Sequence, residues 1–136
     1  MFSIFPEKWV VLQLDRYHDK MGYCLGPELR YLHNGTVFRD VILNDKNTYI
    51  NNGNLIVNNN SVKIVLKGEP DQEWFDETIY QKWEKWNEMV GKFDDDWMDY
   101  EPCSYISREI IANELGIKTL KDNCKDNCKT KFYNKV

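Results

Sequence analysis

Residues 61–91 read SVKIVLKGEPDQEWFDETIYQKWEKWNEMVG, and within them the hydrophobic period changes from two to 3.6. Ser61–Leu66 is apolar and rich in β-branched residues, as a strand requires. Gly68-Glu69-Pro70 breaks it, and Asp71 then offers a carboxylate to cap a helix. Phe75, Ile79, Trp83, Trp86 and Val90 follow at i, i+4, i+8, i+11 and i+15, a single helical stripe that Gly91 closes. The stripe is built of large aromatics, so it reads as core. The chain is therefore expected to be α+β, with a strand-rich half up to about Lys67 and a helical half beyond it.

Working back from residue 61, Asn58-Asn59-Asn60, Asn51-Asn52-Gly53 and Asn34-Gly35 tolerate positive φ and mark hairpin turns. They separate candidate strands at Thr36–Leu43, Thr48–Ile50 and Asn54–Val57. Upstream, Trp9–Leu14 (WVVLQL) reads as a strand and Met21–Leu25 as a second, while Glu28–Leu32 continues a hairpin or makes a helical turn. The expectation is an antiparallel meander of about five or six strands. Working forward, 92–102 reads as an acidic connector. A second helix is expected from about Ser104 to Leu115, burying Ile106, Ile110 and Leu115, with Gly116 at its end. Residues 1–117 make one domain, and 118–136 a lysine-rich tail, either a loose helix or disordered.

At 136 residues the chain should bury roughly two-thirds of its unfolded surface. Each of its five tryptophans can contribute about 150–250 Å², so a core forms without disulfides or a metal. No apolar run reaches the 18 or so residues of a membrane span. Pro6, Glu7 and Lys8 interrupt the N-terminus where a signal peptide would be apolar. A reducing cytoplasm is expected, with Cys24, Cys103, Cys124 and Cys128 as thiols. The net charge of −4 conceals a split. Residues 69–101 carry twelve acids against three lysines, and 117–136 carry six lysines against two aspartates. Such a split does not favour duplex DNA, which wants a broad basic face. It is either a solvated surface or a match for a protein partner with a basic surface. Fourteen asparagines and many lysines fit an AT-rich phage, viral or bacterial genome.

Cys103 is the principal chemical candidate. It follows Pro102 and opens the expected second helix, where unpaired amides and the helix dipole favour a thiolate and could hold an oxyanion. The alternative is a small buried residue beside a cap made by Ser104 or Asp99. A nucleophilic cysteine needs a base, and the chain holds only His18 and His33. Asp94, Asp95, Asp96 and Asp99 form an acidic run that could engage a partner. As Ca²⁺ ligands they lack the alternating spacing of an EF-hand loop. Cys124-x-x-x-Cys128 has the wrong spacing for a zinc knuckle. No cofactor motif is present.

The segment Cys103-Ser104 through Ile110-Ile111-Ala112 to Leu115-Gly116 resembles the cysteine helix of permuted papain-like (NlpC/P60-related) hydrolases. Gly91-Lys92-Phe93-Asp94 resembles their connector before that helix, and His18 to Gly26 with Tyr31-Leu32-His33-Asn34 is similar to their histidine strands. The resemblance covers roughly residues 15–35 and 91–116. It implies a cysteine hydrolase acting on an amide or thioester, with Cys103 as nucleophile, His18 as base and His33 as orienting group. The rival expectation is a non-enzymatic binding or inhibitor protein, phage- or virus-encoded, that engages a host protein through its acidic helical region.

Overall fold

The computed structural model describes residues 2–13, 26–90, 102–117 and 132–133. Its strands are β1 (Phe2–Ile4), β2 (Lys8–Leu12), β3 (Glu28–His33), β4 (Thr36–Ile42), β5 (Thr48–Asn51), β6 (Asn54–Asn59), β7 (Val62–Leu66), β8 (Ser104–Tyr105) and β9 (Phe132–Tyr133). Helix α1 runs Gln72–Phe75, continues through a π-helical turn Asp76–Tyr80, and ends with Gln81–Val90. Helix α2 is Arg108–Leu115. The chain is α+β, as expected.

The antiparallel meander is present, and its strands are divided between two sheets rather than held in one. One has the order β1-β7-β6-β5 and the other β4-β3-β2-β8-β9. The hairpins themselves form where the turns predict them: Asn34, Asn52 and Asn60 all take positive φ. The chain changes sheet in the Asn44–Asn47 turn, where Asn44 Oδ1 accepts from the Lys46 and Asn47 amides and Asn47 Nδ2 donates to Ile42 O. β1 was not expected, and it pairs parallel with β7 through Phe2↔Val62 to Ile4↔Ile64.

β2 explains the layering. Trp9 and Val11 point to one side, into a core with Leu29, Tyr31 and Val41 of their own sheet and Leu55, Val57, Ile64 and Leu66 of the other. Val10 and Leu12 point to the opposite side, against Trp74, Phe75 and Tyr80 of α1. A strand buried on both faces reads as an unbroken apolar run, which is what WVVL is. The molecule thus has three layers, sheet, sheet and helix, with α2 adding Ile111 to the core between the sheets. Trp9 also ties the sheets together by donating its indole N–H to Lys67 O at 3.0 Å.

α1 begins as the sequence predicts, with Asp71 Oδ1 accepting from Trp74 N at 2.9 Å. The π turn is a departure. In an α-helix Phe75 and Tyr80, five residues apart, would lie some 140° from each other. The wider turn brings both onto the sheet-facing side, with ring centroids 6.4 Å apart. Trp83 then packs against Tyr80 with its ring tilted, the centroids 5.5 Å apart.

Two expectations fall beyond Pro102. The second helix starts at Arg108, four residues later than predicted, because Ser107 rather than Ser104 caps it. Ser104 and Tyr105 instead form β8, and both are fully buried. In α2, Ile111 and Ala112 are the fully buried residues, while Ile110 and Leu115 pack at the core's margin. Gly116 closes it in the left-handed conformation, at φ 78°. Within the lysine-rich tail, Phe132 and Tyr133 form β9 against β8. Their rings pack 4.8 Å from Tyr105 and 5.7 Å from Phe75. The expected strand Met21–Leu25 lies outside the described residues.

Candidate functional site

Cys103 sits in extended backbone at the mouth of β8 and is half-buried. Its carbonyl accepts from Gln13 N at 3.0 Å, which extends the Leu12↔Ser104 pairing by one residue. The expected position at a helix N-terminus is therefore corrected: α2 begins five residues downstream. The amides of that helix end are engaged by others. Ile110 N donates to Ser107 Oγ at 3.2 Å, and Arg108 N donates to Glu69 Oε1 at 2.8 Å. The dipole and oxyanion argument therefore does not apply to Cys103.

His33 closes β3, immediately before the Asn34-Gly35 turn, and is half-buried. The strand register separates it from Cys103. Lys8 pairs with Leu32, so His33 is level with Glu7, whereas Cys103 is level with Gln13. Six residues at about 3.3 Å and two strand spacings of about 4.8 Å place the two groups roughly 22 Å apart. His33 and Cys103 stand at opposite ends of the sheet, so His33 does not orient a base for this thiol. His18 lies outside the described residues, as do Asp94, Asp95, Asp96, Asp99, Cys24, Cys124 and Cys128.

That end of the sheet also carries a buried polar group. Glu28 and Ser104 both pair with Leu12, one on each side, and so share its helix-facing side. Glu28 is 3% exposed and accepts from Arg30, Nε to Oε2 at 3.1 Å and Nη2 to Oε1 at 3.4 Å. Ser104 Oγ donates to Gln72 Oε1, and Gln72 Nε2 donates to Tyr105 O at 2.9 Å. The paired groups offset the cost of burying a carboxylate and a hydroxyl. These residues were not singled out from the sequence, although Glu28-x-Arg30 is the period-two spacing that puts opposite charges on one strand face.

A second surface is the outer side of α1. With Phe75, Tyr80 and Trp83 turned to the sheet, Glu73, Glu77, Glu84 and Glu88 are exposed. Lys82 and Lys85 are exposed alongside them. Among the described residues no cluster of His, Cys, Asp and Glu converges as metal ligands would. Nor is any helix there long and apolar enough to cross a membrane.

Comparison with protein-family models, with curated proteins and with solved structures finds no match to this chain. The structure itself defines the class: a three-layer α+β protein whose central sheet is covered on both faces.

Proposed function

We propose that the protein acts by binding another protein, docking the acidic outer face of α1 onto a basic surface. The observation that carries this reading is the separation of roles on one helix. Its aromatic side is fixed in the core, and its opposite side presents Glu73, Glu77, Glu84 and Glu88 to solvent. A helix anchored in this way offers charge in a fixed geometry, which speeds encounter and selects a complementary partner. In sequence the acidic character continues into Asp94, Asp95, Asp96 and Asp99. A phage- or virus-encoded inhibitor of a host protein fits this reading and the asparagine- and lysine-rich composition.

The test is affinity capture from host lysate with wild type, the fourfold Glu→Lys variant of the α1 row, and Cys103→Ala. The expected result is a captured partner that is lost with the charge reversals, weakened by salt, and retained with Cys103→Ala. Capture indifferent to the four reversals refutes the proposal.

One observation favours a second reading, the cysteine hydrolase. The bond from Gln13 N to Cys103 O pairs Cys103 with Gln13, and His18 follows Gln13 by five residues in the sequence. In that reading His18 takes the thiol proton, the thiolate adds to an amide or thioester carbonyl, and the amine or thiol leaves. Water then releases the acyl group. Alkylation at neutral pH that is faster at Cys103 than at Cys124, and slowed by His18→Ala, supports it. Equal rates sink it.

A further inference from the structure

We propose that β4 is a self-pairing edge, along which two copies of this chain join their larger sheets antiparallel. β4 is the outermost strand of that sheet, and no described strand lies on its far side. Thr36, Phe38 and Arg39 are exposed along it. Phe38 is 40% exposed although it stacks on Tyr31, with centroids 4.9 Å apart and an 11° interplanar angle. Phe38 is thus one of three exposed phenylalanines among the described residues, with Phe2 and Phe5, and it lies on a seven-residue edge whose outer backbone groups no described strand pairs.

The backbone shows which groups are on offer. The two-residue turn makes His33 and Thr36 a hydrogen-bonded pair, and at the other end Leu43 N donates to Pro27 O at 2.8 Å. Hydrogen-bonded and non-bonded pairs alternate in an antiparallel ladder. Val37 and Ile42, next to these two pairs, therefore direct their N–H and C=O groups away from β3. The outward direction of Ile42 O is visible in the bond it accepts from Asn47 Nδ2 at 2.8 Å.

The occupant is argued from self-complementarity. In Val37-Phe38-Arg39-Asp40-Val41-Ile42, antiparallel pairing with a second copy sets Val37 opposite Ile42, Phe38 opposite Val41, and Arg39 opposite Asp40. The faces agree as well. Val37 and Ile42 pair with Leu32 and Glu28 on the helix-facing side, whereas Phe38 and Val41 pair with Tyr31 and Leu29 on the inter-sheet side. A bulge makes this possible. Between Leu29 and Tyr31 the register shifts, so that Arg39 and Asp40 together oppose Arg30. Without that extra residue Phe38 and Val41 would point to opposite faces. Phe38 of each copy then stands beside the other's Val41, and in sequence a basic position of one copy is registered against an acidic position of the other. A single strand edge is a small interface, so the dimer is a transient one.

The test is sedimentation velocity across a concentration series, with circular dichroism to verify folding. The variants are R39D, D40R and the double exchange R39D/D40R. Wild type is expected to show reversible dimerisation. Each single reversal sets like charges opposite each other and should weaken dimerisation about ten-fold or more, and the double exchange should restore it. Amide exchange in the wild type should slow with concentration at Val37 and Ile42, a readout that stands even where a variant fails to fold. Three results overturn the proposal: a monomer at every concentration, a dimer indifferent to both single reversals, or an edge that pairs only with a foreign extended peptide.

Discussion

Val10 and Val11 are adjacent on β2, fully buried, and belong to different cores. In a sandwich with one wet face, one of them would face solvent and its truncation would be nearly silent. Here both should be costly. Val→Ala removes the equivalent of about two methylenes at ~0.8 kcal/mol each. The space left, on the order of 40 Å³, adds ~1 kcal/mol at about 24 cal/mol per Å³. Each of Val10→Ala and Val11→Ala is thus expected to cost about 2–3 kcal/mol. At roughly 2.1 cal/mol/K per residue over 136 residues, that lowers Tm by about 9 °C. The two side chains belong to different cores but are neighbours along the strand, so the double variant reports their coupling as well as the two separate losses. The assay is urea unfolding followed by tryptophan fluorescence and far-ultraviolet circular dichroism. A Val10→Ala variant within about 0.5 kcal/mol of wild type would refute the helix layer over this strand, and with it the three-layer description.

Two further outcomes follow from the same geometry. Asp71→Ala removes the cap on Trp74 N and the 3.4 Å ion pair with Lys8, and should cost about 1–2 kcal/mol. Asp71→Asn keeps the cap and should lose only a few tenths in the same urea titration. Burial holds the Tyr31 phenol above its ordinary value of 10.0, so the folded protein retains that proton at a pH where the unfolded chain releases it. Stability from this source is complete below about pH 10 and is lost as the pH rises through the folded value. Tyr31→Phe should therefore move the midpoint of alkaline unfolding upward, and an unchanged midpoint would count against it.

The parts of the fold legible in the sequence are those set by neighbours along the chain. Asn34-Gly35 and Asn52-Gly53 bend where they do because both residues of each pair accept positive φ. Asp71 caps α1 and Gly116 ends α2 for equally local reasons. What was not legible depends on pairing at a distance. The three residues of β1 are a strand only because β7, sixty positions away, lies beside them. Phe132 and Tyr133 are strand only because Ser104 and Tyr105 are. The expected helix start before Cys103 was misplaced for the same reason. Ser104 and Ser107 are both good caps, and the local pattern cannot choose between them. The choice is made by Tyr105, which is fully buried in β8 with its ring against Phe132. That pairing moves the helix start past Cys103 and removes the electrostatic case for its activation.

Covering the central sheet on both faces restricts where recognition can take place. Among the described residues neither broad face of that sheet is open, so it is reached at the outer side of α1, the β4 edge and the sheet end beside Cys103. Two of these adjoin. Leu32 and Val37, on β3 and β4, pack under α1 in the same core as Trp83. A two-fold axis that pairs β4 with its copy runs perpendicular to the sheet and keeps both α1 helices on one side. The rows containing Glu73, Glu77, Glu84 and Glu88 would then stand side by side as a doubled acidic surface. A partner that is itself repeated, such as a symmetric oligomer or a filament, would engage both rows, and linkage raises avidity without any new contact. The two proposals are therefore coupled in one direction only. Breaking the β4 edge should weaken binding to a repeated partner while leaving a single-site partner untouched, whereas reversing the α1 charges should abolish both.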